Sequence, residues 1–195
     1  MVAAIDSTLQ QFSADVVLVV LVILNAVVGW RTGVLRRVLA FAGVYVAVLG
    51  AYSIGNGIAS AVHKGDIFTN AWTFVAVATV VVVLFEVLGR LFADRLASAA
   101  AVAFDRFAGL LIGAAVGFFQ ASVLFMVALA VGAASPAANN TVPASRDSAA
   151  NAVRAATLSG QAVRAQPALR AMFKPVIGDD LTGHLEQGTV VTTPG

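Results

Sequence analysis

The sequence predicts an all-α polytopic membrane protein with four transmembrane helices and a short helical or partly disordered C-terminal tail. Three observations lead there. Only 11% of the 195 residues are charged and 59% are hydrophobic, whereas an ordinary soluble domain carries about 25% charged residues. The mean hydropathy is +0.91. Four long apolar runs, separated by short charged or glycine-containing connections, account for most of that value.

The first run, Val16 to Trp30, is short for a bilayer core of about 30 Å, which needs roughly 20 helical residues. It reaches that length if it is extended back to Phe12, with Asp15 near an interface. The second, Val38 to Gly55, and the fourth, within Phe107 to Gly132, fit directly. The third, Ala71 to Leu88, fits as well and is interrupted only by Glu86. Valine is abundant throughout and favours strands in water. Half-buried strands would alternate polar and apolar residues, and buried ones seldom pass about 8 residues. In lipid a helix satisfies its own backbone, which outweighs the small helix penalty of valine.

The connections orient the spans. Arg31, Arg36 and Arg37 lie between runs one and two, and Arg90, Arg95 and Arg106 between three and four. The connection from Ala59 to Asn70 offers only Lys64, and the segment before run one has no lysine or arginine. The positive-inside rule places both arginine loops in the cytoplasm and both termini outside it. Both ends would then face the periplasm or the cell exterior. Without a positive n-region the N-terminus does not read as a signal peptide, so the first helix is expected to be retained. There is no cysteine, hence no disulfide framework and no thiolate metal site.

The stretch Asn25 to Arg37 reads as a tight helical hairpin. Trp30 anchors the end of the first helix at an interface, the chain turns using Thr32 and Gly33 with Gly29 in the same motif, and Arg31, Arg36 and Arg37 anchor it on the cytoplasmic side. The competing reading makes the arginines a contact for anionic headgroups, at about 1 kcal/mol each. Along run three, Glu86, Arg90 and Asp94 share one face at i, i+4 and i+8 and predict an ion-pair ladder. In the fourth run Gly109, Gly113 and Gly117 form a repeated small-xxx-small pattern, with Ala121 on the same face, and predict a close helix-packing seam.

At the span edges the polar candidates are Asp15, Asp105 and Arg106. Asp15 reads either as a cap or first-turn acid of the first helix or as a functional intramembrane acid. Asp105 is expected to cap the fourth helix, and Arg106 to mark the cytoplasmic side. Asn25 and Gln120 are the strongly polar uncharged groups deep in the spans.

Residues 1–132 thus form the predicted membrane domain and 133–195 an extracytoplasmic linker and partly helical tail. The linker spans Ser135 to Ser148. Ala149 to Gln166 reads as one helix, ended or restarted by Pro167.

No nucleophile-base pair, metal-binding motif or phosphate loop is visible, and His63 and His184 lie in a loop and the far tail. The sequence therefore implies no enzyme, no cofactor and no metal. The partners expected are the lipid bilayer and membrane proteins or a second copy, with no nucleic acid.

Asp15 with its following apolar run, the turn Gly29-Trp30-Arg31-Thr32-Gly33 with Arg36, and Phe104 to Gly113 together resemble the colicin V production protein (CvpA) family of bacterial inner-membrane proteins. The resemblance runs from about Ala14 to Val131. It implies a small multi-spanning domain connected with toxin production or export and with envelope behaviour. In some relatives a similar domain anchors an extracytoplasmic serine protease. The present tail has neither room for a protease domain nor a catalytic triad, so protease activity does not carry over. A membrane scaffold or accessory protein is the first functional expectation, and a small oligomeric channel or transporter the second.

Overall fold

The computed structural model describes residues 2–62, 67–96, 102–133, 143–177, 181–182 and 185. Among them there are five helices and no strand: α1 (Val2–Val62), α2 (Ile67–Leu96), α3 (Val102–Ala133), α4 (Pro143–Ala155) and α5 (Ser159–Ile177). Three apolar stretches are long enough to cross a membrane, Phe12–Gly55, Ile67–Leu91 and Phe104–Ala133. The expected four become three because helical hydrogen bonding is nearly continuous through the first hairpin. One residue interrupts it. Gly33 has φ 78° and ψ 177°, a region open almost solely to glycine.

The chain reverses there. A straight helix would separate Asn25 from Arg37 by about 18 Å, yet their side chains are joined at 3.1 Å. Neighbours on α3 tell the same story. Gly117, Gly113 and Gly109 sit against Leu21, Asn25 and Gly29 of the first limb (residues 2–32), so that limb is antiparallel to α3. On the second limb (residues 34–62), Val34 meets Asp105 and Phe41 meets Phe119, so that limb runs parallel to α3. Gly43 faces Phe85 and Gly55 faces Phe74, which makes α2 antiparallel to the second limb.

The central element is α3, with 56% of its span buried, against 11% for α2. Its glycines explain the difference. A Cβ at Gly113 would overlap the carbonyl of Asn25, and one at Gly117 the carbonyl of Leu21, so the backbones meet directly and gain contact that lipid cannot supply. The seam expected at Gly109, Gly113 and Gly117 lies inside the chain, and buried Ala121 extends it towards Ala14 and Leu18. In contrast α2 leaves Trp72, Val80, Leu84, Val87 and Leu91 exposed, a surface suited to lipid.

The tail departs from expectation. α4 begins at Pro143, inside the expected linker, with proline at the first helical position where its missing N–H costs nothing. The break falls at Ala156–Leu158, and Pro167 lies within α5 on its exposed side. The tail also packs on the spans and shares their core. Val153, Ala156 and Ala162 join Ala14, Leu18 and Phe125. Leu169, Phe173, Leu181 and Leu185 join Val44, Phe74, Phe119 and Val127. The expected connection Ala59 to Asn70 is shorter too, since α1 runs to Val62 and α2 starts at Ile67. His63, Lys64 and His184 lie outside the described residues.

Candidate functional site

Four polar side chains, one from each long helical segment, meet inside the bundle. Arg37 is 1% exposed. Its Nη2 donates to both carboxylate oxygens of Glu86 on α2, at 2.9 and 3.1 Å. Its Nη1 donates to Oδ1 of Asn25 at 3.1 Å. Asn25 donates in turn through Nδ2 to Oε1 of Gln120 on α3 and to the Leu21 carbonyl, each at 2.9 Å. Glu86, Arg37, Asn25 and Gln120 thus form one chain of hydrogen bonds from α2 across both limbs of α1 to α3.

Local structure places each of them. Arg37 continues the buried stripe of the second limb, Ala40, Val44, Ala47 and Ala51, at the three- and four-residue spacing of one helix face. Arg36, one residue earlier, falls off that stripe and is half-buried. The sequence groups Arg37 with Arg36 as a cytoplasmic anchor; the structure separates the two by burying Arg37. In the same way Glu86 does not spend its carboxylate on an Arg90 ladder. It has been drawn to the guanidinium, because an unpaired cation in a low-dielectric interior is far more costly than a surface pair is beneficial. Asp94, the third member of that ladder, has no described side chain.

The two span-edge acids each accept backbone N–H groups at the N-terminus of another element. Asp105 lies in the first turn of α3, and its Oδ1 accepts the N–H of Val34 at 3.1 Å. That is the first free donor after the Gly33 reversal, where the helix dipole favours a carboxylate. A Cβ at Gly33 would overlap Oδ2 of Asp105, so the turn and the acid fit only with glycine. Asp15, deep within α1, accepts the N–H groups of Thr157 and Leu158 at 3.0 Å each. This interaction explains the break between α4 and α5. The expected capping of α1 by Asp15 is replaced by a clasp between α1 and the tail.

The other sequence candidates sit at the hairpin end. Trp30, Arg31 and Arg106 are exposed, and Gly29 packs against Gly109. Beside the polar chain lies an apolar cavity of about 250 Å³ between α1, α2 and α3, lined by Val48, Ala78, Val82, Val123 and Val127, with Gln120 at its polar margin. Nε of Arg37 has no acceptor. Tail docking uses Asn70, buried on α2, whose Nδ2 donates to the Leu185 carbonyl at 2.7 Å.

The family model described as Colicin V production protein matches residues 14–158. The chain belongs to the colicin V production protein family. The match reaches beyond Val131, where the sequence resemblance stopped, and takes in α4. Its first residues and its last, Asp15 and Leu158, are joined by the clasp. Family membership supports a role in colicin V production in the broad sense, and the apolar helices agree with a membrane protein. No curated protein and no solved structure matches the chain.

Proposed function

We propose that this family member is a four-crossing scaffold or accessory protein of the bacterial inner membrane, supporting toxin production or export and related envelope processes, and that it carries out no enzymatic step. The observation that carries the proposal is the continuous polar chain. The guanidinium of Arg37 is matched by Glu86, and Asn25 is held by Gln120, so the internal charge is neutralised across all four helical segments. With the glycine seam beside it, this is a device for holding helices in one arrangement. The two limbs of α1 serve as separate crossings, since 44 residues of helix would measure about 66 Å, twice a bilayer core. The arginine distribution then puts the Gly33 turn in the cytoplasm and both ends outside it. Partners are membrane proteins or a second copy, recognised through the exposed faces of α2 and the tail, and not nucleic acid.

A second reading, a small oligomeric channel or transporter, is favoured by the cavity at Gln120 and the unaccepted Nε of Arg37. Ion flux in proteoliposomes separates the two. A scaffold leaves flux at the level of empty vesicles, whereas flux that disappears in Asn25→Leu would establish the channel. Orientation is read in intact cells with an impermeant thiol reagent on single cysteines at Ala155 and Thr32. Labelling of Ala155→Cys alone supports outward ends, and labelling of Thr32→Cys alone reverses them.

A further inference from the structure

We propose that the apolar cavity between α1, α2 and α3 seats one acyl chain of a bilayer phospholipid, entering sideways from the hydrocarbon core; the proposal rests on the membrane reading above. The cavity exists because α2 is tied at its two ends and not along its middle. Near one end Glu86 is bonded to Arg37, and near the other Asn70 is bonded to the Leu185 carbonyl. Between these ties α2 leans on the second limb of α1 and scarcely touches α3. Short side chains line the gap there, Ala47 on α1 and Ala78 on α2, so it is not filled from within.

Position and shape decide the occupant. Buried Val48, Phe74 and Val127 form the deep wall, while Thr79 and Val83 at the rim are exposed, so the mouth opens sideways. Thr79 is the midpoint of the span Ile67–Leu91, about 18 Å from either end. The mouth therefore faces the centre of the bilayer, where the medium is hydrocarbon. Along α2 the lining runs from Phe74 to Val83, about 13 Å of helix. Spread over that length, the volume of about 250 Å³ gives a mean cross-section of roughly 20 Å². A helix about 10–12 Å across would need roughly 80–110 Å², so another span does not fit inside, whereas a single hydrocarbon chain does. The lining holds two polar side chains, and both are already bonded. Thr79 Oγ1 donates to the Val75 carbonyl at 2.7 Å, and Gln120 Oε1 accepts from Asn25 at 2.9 Å. A water would need about two to four polar partners, and an empty gap forfeits the dispersion contacts of its walls. A chain seated there touches three helical segments, more than the outer surface of any one helix offers.

The test uses the full chain in mild detergent, stripped of lipid, supplied with dioleoyl phosphatidylcholine and weighed intact by native mass spectrometry. The expected result is one phospholipid retained per chain. It should be lost in Ala78→Phe, whose ring fills the gap, and kept in Ala76→Phe, exposed on the same helix outside the cavity. Helical circular dichroism checks the fold of each variant, and Val82→Phe, also in the lining, stands in if Ala78→Phe does not fold. Equal retention by the wild type and the filled variant overturns the seat, as does a wild type that retains no lipid. A lipid-free dimer broken by Ala78→Phe also overturns it and gives the cavity to a side chain of a second copy. Separately, a fluorophore on Val80→Cys, exposed on α2, is placed in nanodiscs of chain-brominated phosphatidylcholine. Quenching there upholds the membrane reading even where the seat fails, and its absence overturns both.

Discussion

Replacing Glu86 with alanine gives the sharpest test of the internal polar chain. Arg37 is 1% exposed, so its guanidinium would lose its counter-ion inside the bundle. Breaking a buried pair by removing one partner costs about 3–5 kcal/mol. Because Glu86 itself is 27% exposed, the pair is not fully enclosed and the low end applies, about 3 kcal/mol. That is roughly a 100-fold drop in the ratio of folded to unfolded protein. The double variant Arg37→Met/Glu86→Leu removes both charges and fills similar volume, and such replacements are often neutral or stabilising. It should recover most of the loss. Equilibrium unfolding of purified protein in mild detergent, followed by helical circular dichroism, reads all three. A Glu86→Ala loss below about 1 kcal/mol, or a double variant as unstable as the single, would refute the claim that this pair is a desolvated internal tie.

Further outcomes follow from the close contacts. Gly113→Ala forces a Cβ onto the Asn25 carbonyl and should destabilise by about 1–3 kcal/mol, while Gly57→Ala, with nothing near its Cβ, should stabilise by roughly 0.5–1 kcal/mol; the same unfolding assay compares them. Gly33→Ala should cost at least about 1–3 kcal/mol for its backbone region alone, and Asp105→Ala should restore only the steric part, measured as a double-mutant cycle. Asp15→Ala removes the acceptor for Thr157 and Leu158 and should cost about 1 kcal/mol, in the range of a lost helix cap. Limited proteolysis should then cut between α4 and α5 about fivefold faster while the spans stay protected.

Sequence periodicity reached the glycine seam because it is a local pattern. Three glycines four apart mark one helix face whatever lies opposite, and the partner proved to be the chain's own first limb. The Gly33 turn was legible for the same reason. The Arg37–Glu86 pair was not, because its members are 49 residues apart and Arg90 offered Glu86 a nearer partner by spacing. A signal was present in the stripe Arg37, Ala40, Val44, Ala47, Ala51, where the arginine sits in register with small apolar residues. Asp15 reads as a cap or first-turn acid of the first helix or as an intramembrane acid, and Asp105 as a cap of its own helix. Both accept N–H groups of other elements that the sequence did not indicate. Their partners are backbone N–H groups, which every residue but proline possesses, so no side-chain pattern points to them. The break at Ala156 escaped for that reason too, since the carboxylate that makes it is supplied from 142 residues away.

That last separation bears on how the molecule is made. A chain emerging from the ribosome presents α1 first, and the carboxylate of Asp15 lacks these two N–H partners until residues 157 and 158 have been synthesised and folded. Assembly is thus completed by a contact between nearly the earliest and nearly the latest matched residues. A chain stalled or clipped before α4 would keep its spans yet expose Ala14, Leu18, Ala121 and Phe125 together with an uncapped acid. Such a fragment would present an apolar patch that the finished protein hides.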